Sequence, residues 1–447
     1  MRKDRAFVIL VSLLLSAFVV VFWAFPRSTY SELEKRELRH FPDFSLTSLR
    51  EGNFTNDVSS WFSDSEPFRD VFMTSSMHLK SWLAMNWPTA NSDEQVTYHA
   101  PAPEEENPEM EDEVELQNET EPVADQRNIQ AFHVEVPTQA KMENSGVIVV
   151  GSAPTARALM AFNDKKKGGK KFAEVINSYQ NTFGPNVNVY CMVIPTAAEF
   201  YCPETARSCS PSEFPVLSEL YNQIDSAVHV VDVYMVLGSH VDEDIFLRTD
   251  HHWSPLGAYY AARQFALVAG IKVPEIEDFD ADTIKGYVGS MYGFSKDIAV
   301  KKSPEDFVYY VPRNVSYSTS YRVYSLDEDY HIKSEGKPHK GAFFVPVSST
   351  SSAYCTFMGS DARITCVQTD SDCHRRLLIM KDSFGNALPG YLFGSFEEIH
   401  VIDFRYFTYN IKDYVAENGI TDILISNNIS QVCSGAVGAA YKQFLLN

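Results

Sequence analysis

The segment Thr249–Pro255 places an acid, two imidazoles and an indole directly before a predicted helix. Loops at the ends of regular elements are where catalytic side chains concentrate, because the rigid scaffold holds them in position. In extended backbone, residues i and i+2 point to the same side of the chain. Asp250 and His252 are therefore predicted to face one pocket, while His251 is predicted to face away.

A serine far downstream is the group that these two residues can serve. Ser383 comes directly after the predicted buried strand 376–381. In an open α/β sheet, ligands bind beyond the carboxyl ends of the strands, and a turn that opens into a helix offers backbone amides to an anion. Asp250 can hold the tautomer of His252 while His252 takes the proton of Ser383. These residue types predict acyl chemistry on a serine.

The elements that must position these side chains follow an alternating pattern from Gly146 onward. Strands are predicted over 147–151, 187–195, 229–233, 376–381, 399–403 and 421–426. Helices are predicted over 172–183, 214–228, 256–266, 389–393 and 412–418, the third of them capped by Ser254 with Pro255 at its first position. This order predicts an α/β fold with a mostly parallel sheet flanked by helices. The Tyr-rich stretch from 286 to about 350 predicts an antiparallel excursion.

The N-terminus has the features of a membrane anchor. Residues 1–5 form a short basic tip, and 6–25 are apolar except for two serines. About twenty apolar residues match the thickness of a bilayer, and the positive flank predicts a cytoplasmic N-terminus with the bulk of the chain outside. A single-pass protein of the cell membrane is the expectation. A cleaved signal peptide is the alternative, although no small-x-small cleavage site follows the apolar run.

Three further regions follow from composition and charge. Residues 26–90 are amphipathic and aromatic and predict a helical prelude. Residues 91–135 are acidic and Pro-rich, and such a composition buries too little apolar surface to offset its ordering entropy. They predict a flexible insert before a catalytic domain over 146–447. The formal net charge of -21 argues against nucleic acid as a partner.

The seven cysteines define no disulfide framework, because their number is odd in a large chain. Cys202 and Cys209 can close a small loop. Two of Cys355, Cys366 and Cys373 can pair in the same way. No CxxC pair occurs, so the spacing does not predict a structural zinc site.

Asp250, His251 and His252 are also a candidate metal-ligand group. Their spacing is too tight for a helical ligand pair, and the sequence offers no obvious further ligand nearby. No metal and no cofactor are therefore predicted.

A resemblance to a known family rests on several of these stretches. Thr249–Gly257 resembles the signature of the DHHW protein family, which is similar to the SGNH-hydrolase-like alginate O-acetyltransferases of the AlgX and AlgJ type. Tyr354–Asp361, Leu377–Asn386 and Ile402–Phe407 resemble three further blocks of that family. Ser31–Pro42 resembles its segment just after the membrane anchor. The resemblance spans most of the chain apart from the acidic insert.

The resemblance implies an SGNH-like fold with Ser383 as nucleophile, His252 as general base and Asp250 as the acid that orients it. It also implies a substrate-binding set of Arg405, Asn386, Gly359, Trp253 and Tyr406. Among these, Arg405 is expected to line the ligand pocket, and Gly359 and Asn386 are candidate oxyanion donors. Trp253 packs against the helix or forms the floor of a sugar site. Asp361 stands where the family often has Asn, and an ionised Asp cannot donate a hydrogen bond.

The expected function is extracytoplasmic transfer of an acetyl group to hydroxyls of a cell-surface polysaccharide. The expected partners are that polysaccharide and a membrane protein that delivers the acyl donor. Two alternatives stay open at this point: a carbohydrate esterase that uses the same three residues, and a non-catalytic envelope protein that binds polysaccharide.

Overall fold

The computed structural model describes residues 168–327, 331–347, 349–359 and 361–446, together with 132, 134–143, 146–164 and scattered residues between 25 and 67. Residues 6–24 and 91–131 lie outside the described part, so the membrane anchor and the acidic insert stay predictions. No helix among the described residues is long and apolar enough to cross a bilayer. The chain divides into two compact units, 1–95 with 292–298 and 96–291 with 299–447.

The first unit has a short antiparallel strand pair, in which β1 (Tyr30–Ser31) lies against β2 (Arg36–Glu37). Phe41 packs edge-on against the Trp61 ring, with centroids 4.8 Å apart. Only scattered residues of the predicted helical prelude are described, so its helices stay a prediction.

Further described strands follow this pair along the chain. They are β3 (Ala140–Met142), β4 (Val147–Val150), β5 (Arg157–Met160), β6 (Asn188–Ile194), β7 (His229–Val230), β8 (Phe279–Tyr287), β9 (Glu305–Pro312), β10 (Tyr317–Leu326), β11 (Ile332–Glu335), β12 (His339–Gly341), β13 (Arg363–Thr369), β14 (Arg376–Lys381), β15 (Glu398–Asp403) and β16 (Asp422–Asn428).

The described α-helices are α1 (Gly169–Phe183), α2 (Ala197–Tyr201), α3 (Phe214–Asn222), α4 (Tyr234–Gly238), α5 (Pro255–Ala269), α6 (Ser290–Ser295), α7 (Ile298–Lys301), α8 (Ile411–Asn418), α9 (Ile429–Ser434) and α10 (Ala436–Leu446). Short 3₁₀ helices cover Gly184–Asn186, Glu204–Ala206, Ile276–Asp278, Thr350–Thr356, Ser383–Ala387 and Pro389–Ser395.

A mixed sheet of nine strands dominates the second unit. Its order is β11-β10-β13-β15-β14-β16-β6-β7, with β12 paired to β10. Parallel ladders join β15, β14, β16, β6 and β7 in that order. Antiparallel ladders join β10 to β11, β12 and β13, and β13 to β15. The predicted α/β sheet and its antiparallel excursion are thus confirmed, and β9 of the excursion pairs with β8 in a separate antiparallel sheet.

The central strands are buried along almost their whole length. Every residue of β16 is buried, as are the last six of β6 and the last five of β14. Parallel strands that are covered on both faces show such unbroken apolar runs. These strands end at one edge of the sheet with Lys381, Asp403 and Asn428, and this edge carries the site.

The prediction that 147–151 starts the parallel sheet is wrong. β4 lies in a separate antiparallel sheet with β3 and β5. The chain turns at Gly151, whose φ is +73°, and returns directly as β5 without a crossover helix. A parallel neighbour needs a crossover of a dozen or more residues, so a short turn dictates antiparallel pairing.

The predicted strand over 229–233 is also shorter than expected. Only His229 and Val230 pair with β6. The Asp232 carboxylate accepts a hydrogen bond from the Tyr234 N–H at 3.0 Å, where α4 begins. The loop with Asp250 therefore lies between two helices, α4 and α5, and not between a strand and a helix.

Candidate active site

Ser383 stands at the start of a tight turn that Asp382 organises. One Asp382 oxygen accepts the Phe384 N–H at 2.9 Å, and the other accepts the backbone and side-chain N–H groups of Asn428 at 2.7 and 2.8 Å. Asp382 thus joins the end of β14 to the end of β16. Burial raises the pKa of Asp382 to about 6, against the effect of the backbone donors.

His252 lies between Ser383 and Asp250. Its Nε2 is 2.8 Å from Ser383 Oγ, and its Nδ1 is 2.6 Å from Asp250 Oδ1. Serine and histidine are 131 positions apart in the chain. The hydrogen-bonded order hydroxyl, imidazole, carboxylate is the arrangement in which a base activates a nucleophile.

The Asp250 carboxylate is fully engaged. Oδ1 also accepts the His252 N–H at 3.1 Å, and Oδ2 accepts the Tyr287 hydroxyl at 2.7 Å and the Ser290 N–H at 2.8 Å. Burial opposes its ionisation, but the pairing with His252 and His251 holds the pKa of Asp250 well below its usual range. The group is a fixed negative charge beside the imidazole.

The Asp250 loop is fastened to β9 by Glu305, which sequence reasoning missed. The Glu305 carboxylate accepts the Arg248 N–H at 2.8 Å, the Thr249 N–H at 2.7 Å and the Thr249 hydroxyl at 2.6 Å. At the other end of the loop, Ser254 Oγ accepts the Gly257 N–H at 3.1 Å, which confirms the predicted cap of α5.

The prediction that His251 faces away is wrong. Its ring lies against the His252 ring, with centroids 3.8 Å apart, and its Nδ1 is 2.7 Å from Ser290 Oγ. The loop turns here and is not extended, because the bridge between Phe246 and Trp253 closes it. Burial, and the charge of His252, lower the pKa of His251 to about 4. His251 is therefore neutral near pH 7.

Gly289 allows the close approach that holds Asp250. A Cβ built at this position would lie 2.4 Å from Asp250 Oδ2 and 2.5 Å from its Cβ. We expect Gly289→Ala to displace the Asp250 side chain, and to lower the free energy of unfolding by about 1–3 kcal/mol as overpacked substitutions do. Chemical denaturation measures this change.

Gly394→Ala is the matched control for this substitution, because a Cβ at Gly394 meets nothing within 4 Å. Equal stability of the two alanine variants would contradict the packing argument at Gly289.

Two buried donors hold the Phe384 carbonyl from the other side of the turn. Trp253 Nε1 donates to it at 2.8 Å and the Tyr354 hydroxyl at 3.0 Å. Tyr354 also stacks on the His252 ring, with centroids 3.9 Å apart and an angle of 4° between the rings. Of the two roles expected for Trp253, packing is the observed one: its side chain is fully buried and its N–H is used inside the protein, so it does not form the floor of a sugar site.

A charged network borders the serine turn at the ends of β14 and β15. Lys381 Nζ lies 2.8 Å from Asp361 and 3.0 Å from Asp403. Arg405 Nη2 spans the same two carboxylates at 3.0 and 2.8 Å. Burial opposes the charge of Lys381, but Asp361 and Asp403 hold its pKa above the ordinary value.

Asp361, which stands where the family often has Asn, is a hydrogen-bond acceptor in this network. It accepts hydrogen bonds from Lys381, Arg405 and Asn386 Nδ2, the last at 2.8 Å. Burial opposes its ionisation, but the charges of Lys381 and Arg405 keep its pKa below the ordinary value. An ionised carboxylate with these partners is not an oxyanion donor.

The two predicted oxyanion donors differ in whether an N–H group remains that is not already hydrogen-bonded inside the protein. The Gly359 N–H donates to the Cys355 carbonyl at 3.1 Å, so the prediction for Gly359 is wrong. Asn386 uses one side-chain N–H on Asp361, and an amide carries two.

Arg405 is 40% exposed at its side chain, and its guanidinium lies 5.4 Å from the centre of the half-buried Tyr406 ring. The ligand-binding roles of Asn386, Arg405 and Tyr406 stay predictions.

Comparisons with known proteins identify the family. The family model described as DHHW protein matches residues 34–86 and 112–402. The chain belongs to the DHHW family. A solved DHHW family protein from Eubacterium siraeum is 34% identical, covers 69% of this chain and 98% of its own, and superimposes with a TM-score of 0.61.

Two other solved structures are similar to this chain at lower identity. PatB1 from Bacillus cereus is 17% identical, covers 68% of this chain and 98% of its own, and has a TM-score of 0.50. The O-acetyltransferase domain of Pseudomonas putida AlgJ is 11% identical over 67% of this chain and 99% of its own, with a TM-score of 0.38. No curated protein matches the chain significantly.

Several residues that support the site in this DHHW protein carry no sequence signal. Tyr287, Ser290 and Glu305 form hydrogen bonds with the Asp250 loop from 37, 40 and 56 positions away in the chain. Asn428 forms its hydrogen bond with Asp382 from 46 positions away. Tyr354 alone lies in a stretch that resembles a family block. No spacing rule links such groups before the chain is folded.

The Asp250 loop and the cysteines also had alternative roles as metal ligands and as disulfides. Asp250, His251 and His252 each offer one atom within 4.8 Å of the others. Asp250 Oδ1 and His252 Nδ1 already share a hydrogen bond, and His251 Nδ1 lies 2.7 Å from Ser290 Oγ. The possible disulfides are not formed: Cys202 and Cys209 are both thiols, and so are Cys366 and Cys373.

Proposed function

We propose that this DHHW protein is an O-acyltransferase that moves an acetyl group to a hydroxyl of a cell-surface polysaccharide. The observation that carries the proposal is the hydrogen-bonded chain of Ser383, His252 and Asp250, with contacts of 2.8 and 2.6 Å. The fold it shares with PatB1 adds support, since a PatB1 structure carries a sulfonyl adduct.

In the first half-reaction, Ser383 Oγ attacks the carbonyl carbon of the acyl donor and His252 Nε2 takes its proton. The same imidazolium then protonates the leaving alcohol, which leaves an acyl-serine. In the second half-reaction, His252 takes the proton of a sugar hydroxyl that attacks the acyl-serine, and returns a proton to Ser383. Asp250 keeps the tautomer and stabilises the imidazolium in both steps.

The tetrahedral intermediates need donors for their oxyanion. The Phe384 and Gly385 N–H groups are used on Asp382. The first N–H groups of a helical turn have no intrahelical acceptor. We assign the Ser383 N–H and the second side-chain N–H of Asn386 to the oxyanion. A single donor of this kind changes the rate by about 10²–10³-fold.

Arg405 and Tyr406 are proposed to bind the acceptor. The exposed part of Arg405 suits an anionic or hydroxyl-rich sugar, and the Tyr406 ring gives an apolar surface beside it. We also propose that residues 6–25 anchor the chain in the cell membrane with its bulk outside, and that a membrane protein delivers the acyl donor.

Transfer and hydrolysis are separated by supplying 4-nitrophenyl acetate with and without an oligosaccharide of the envelope polysaccharide. We expect mass spectrometry to find acetylated sugar, and the acceptor to raise the rate of nitrophenol release. Free acetate formed at the same rate with and without sugar, and no acetylated sugar, would show an esterase instead. Tyr406→Ala is expected to raise the KM for the sugar and to leave the rate of nitrophenol release without sugar nearly unchanged.

A further inference from the structure

A second cluster of chemically active side chains lies on the main sheet, apart from Ser383. Cys366 on β13 stands directly opposite His400 on β15 in the antiparallel register. Glu398 precedes His400 by two positions on the same strand, so all three side chains lie on one face of the sheet. The His400 side chain is buried, and that of Glu398 is nearly so.

The donor atoms of this cluster are spaced like the ligands of a small metal ion. Glu398 Oε1 lies 3.2 Å from His400 Nε2 and 2.9 Å from Cys366 Sγ, and Sγ lies 3.9 Å from Nε2. Tetrahedral zinc with bonds of about 2.0–2.3 Å separates its ligand atoms by about 3.3–3.6 Å. The O–N distance is already near that value, the S–N distance must shorten by about 0.3 Å and the S–O distance must lengthen by about 0.6 Å to reach it.

The surroundings orient the ligands as metal sites require. His400 Nδ1 is 2.7 Å from the Tyr414 hydroxyl, so its Nε2 is the nitrogen that faces the cluster. Arg376 Nη1 lies 3.4 Å from Glu398 Oε2, which leaves Oε1 for an ion. Partners of this kind fix the tautomer and the direction of the ligands.

A cavity of about 220 Å³ opens beside the cluster and admits both an ion and a water. Its lining includes the three ligands, Tyr414 and Arg322. Arg322 forms an ion pair with Glu335, in which Nη1 lies 3.1 Å from Oε1. A water in the cavity can fill the fourth position of a tetrahedral ion.

The cluster is not arranged as a second nucleophile and base. In a cysteine–histidine pair the thiol bonds to the imidazole that takes its proton, but the Cys366 thiol donates to Glu398 Oε1 at 2.9 Å and lies 3.9 Å from His400 Nε2. Here Glu398 and Cys366 share the same nitrogen of His400, and the far nitrogen meets a tyrosine hydroxyl. A thiolate, a carboxylate and a neutral imidazole instead balance the two charges of a divalent ion.

We propose that Cys366, Glu398 and His400 bind one Zn²⁺, with water as the fourth ligand. On binding, the Cys366 thiol releases its proton to solvent and the thiolate coordinates the ion. The ion ties β13 to β15 and, through His400 and Tyr414, to α8.

Cobalt substitution tests the site with a readout that is independent of catalysis. The full-length protein in detergent is stripped with a chelator and titrated with Co²⁺. We expect one equivalent to produce a thiolate-to-cobalt charge-transfer band in the near ultraviolet, and Zn²⁺ to bleach it. Cys366→Ser should abolish the band and weaken Zn²⁺ binding by about 100-fold or more, since outer partners alone cost about 10–100-fold.

Cys373→Ser is the matched control, because Cys373 is exposed and lies outside the cluster. It should keep the band and the affinity. Absence of the band in the unsubstituted protein, or an unchanged band in Cys366→Ser, would overturn the proposal. Circular dichroism checks that Cys366→Ser is folded. If it is not, Glu398→Gln should keep the thiolate band and weaken Zn²⁺ binding at least about 10-fold, and unchanged affinity would overturn the site.

Discussion

Ser383→Ala is expected to lower the rate of acetyl transfer by about 10⁴-fold or more, as removal of a serine nucleophile does elsewhere. The substitution removes the atom that lies 2.8 Å from His252 Nε2 and leaves the turn intact, because Asp382 still accepts the Phe384 N–H. Single-turnover kinetics with 4-nitrophenyl acetate measure the loss. A sulfonyl fluoride should label the unsubstituted protein at residue 383, as located by peptide mass spectrometry.

Ser178→Ala serves as the matched control for Ser383→Ala. Its hydroxyl is exposed on α1 and donates to the Glu174 carbonyl of the preceding turn. It should keep full activity and full labelling. Unchanged turnover in Ser383→Ala, with circular dichroism showing a folded protein, would end the case for an acyl-serine and favour a binding protein.

Asp250→Asn is expected to lower kcat by about 10³–10⁴-fold with little change in the size of the side chain. An amide at this position can face His252 Nδ1 with its own N–H, which stabilises the wrong tautomer and no longer stabilises the imidazolium. Labelling of Ser383 by the sulfonyl fluoride should slow in parallel. Asp280→Asn is the control, because Asp280 is an exposed acid paired with Arg313. A kcat within a few-fold of the unsubstituted value would contradict the role of Asp250.

Asp250→Asn also tests how the stability of the folded protein depends on pH. The pKa of Asp250 is lowered in the folded protein, so its contribution to stability is fully present above the unfolded value of about 3.9. This contribution is lost as the pH falls through the lower folded value. Asp250→Asn should lose that part of the acid sensitivity, which denaturation at several pH values measures.

Local pattern was sufficient for much of the site. The cap at Ser254, the strand before Ser383 and the helix after His252 depend on neighbouring residues, and each was predicted. The pairing of β4 with β5 was not, because an apolar run of four residues is the same in a parallel and an antiparallel sheet. The choice lies in the connection, and Gly151 makes that connection a tight turn.

Site roles that depend on what a polar group already contacts were the least predictable. Trp253 and Gly359 have the chemistry of ligand-binding groups, but their N–H donors are used on Phe384 and Cys355. Cys366 was considered as half of a disulfide, while the register of β13 and β15 places it opposite His400. These assignments require a knowledge of distant partners.

The sequence by itself determined the types of the reacting groups and the local elements that carry them, because caps, turns and apolar runs act over a few residues. Only the tertiary structure decided that the loop with His252 meets the loop with Ser383, 131 positions later, at one sheet edge. It also decided which donors remain available to a substrate. Both outcomes follow from the pairing order of the strands and from long-range hydrogen bonds, which no local spacing encodes.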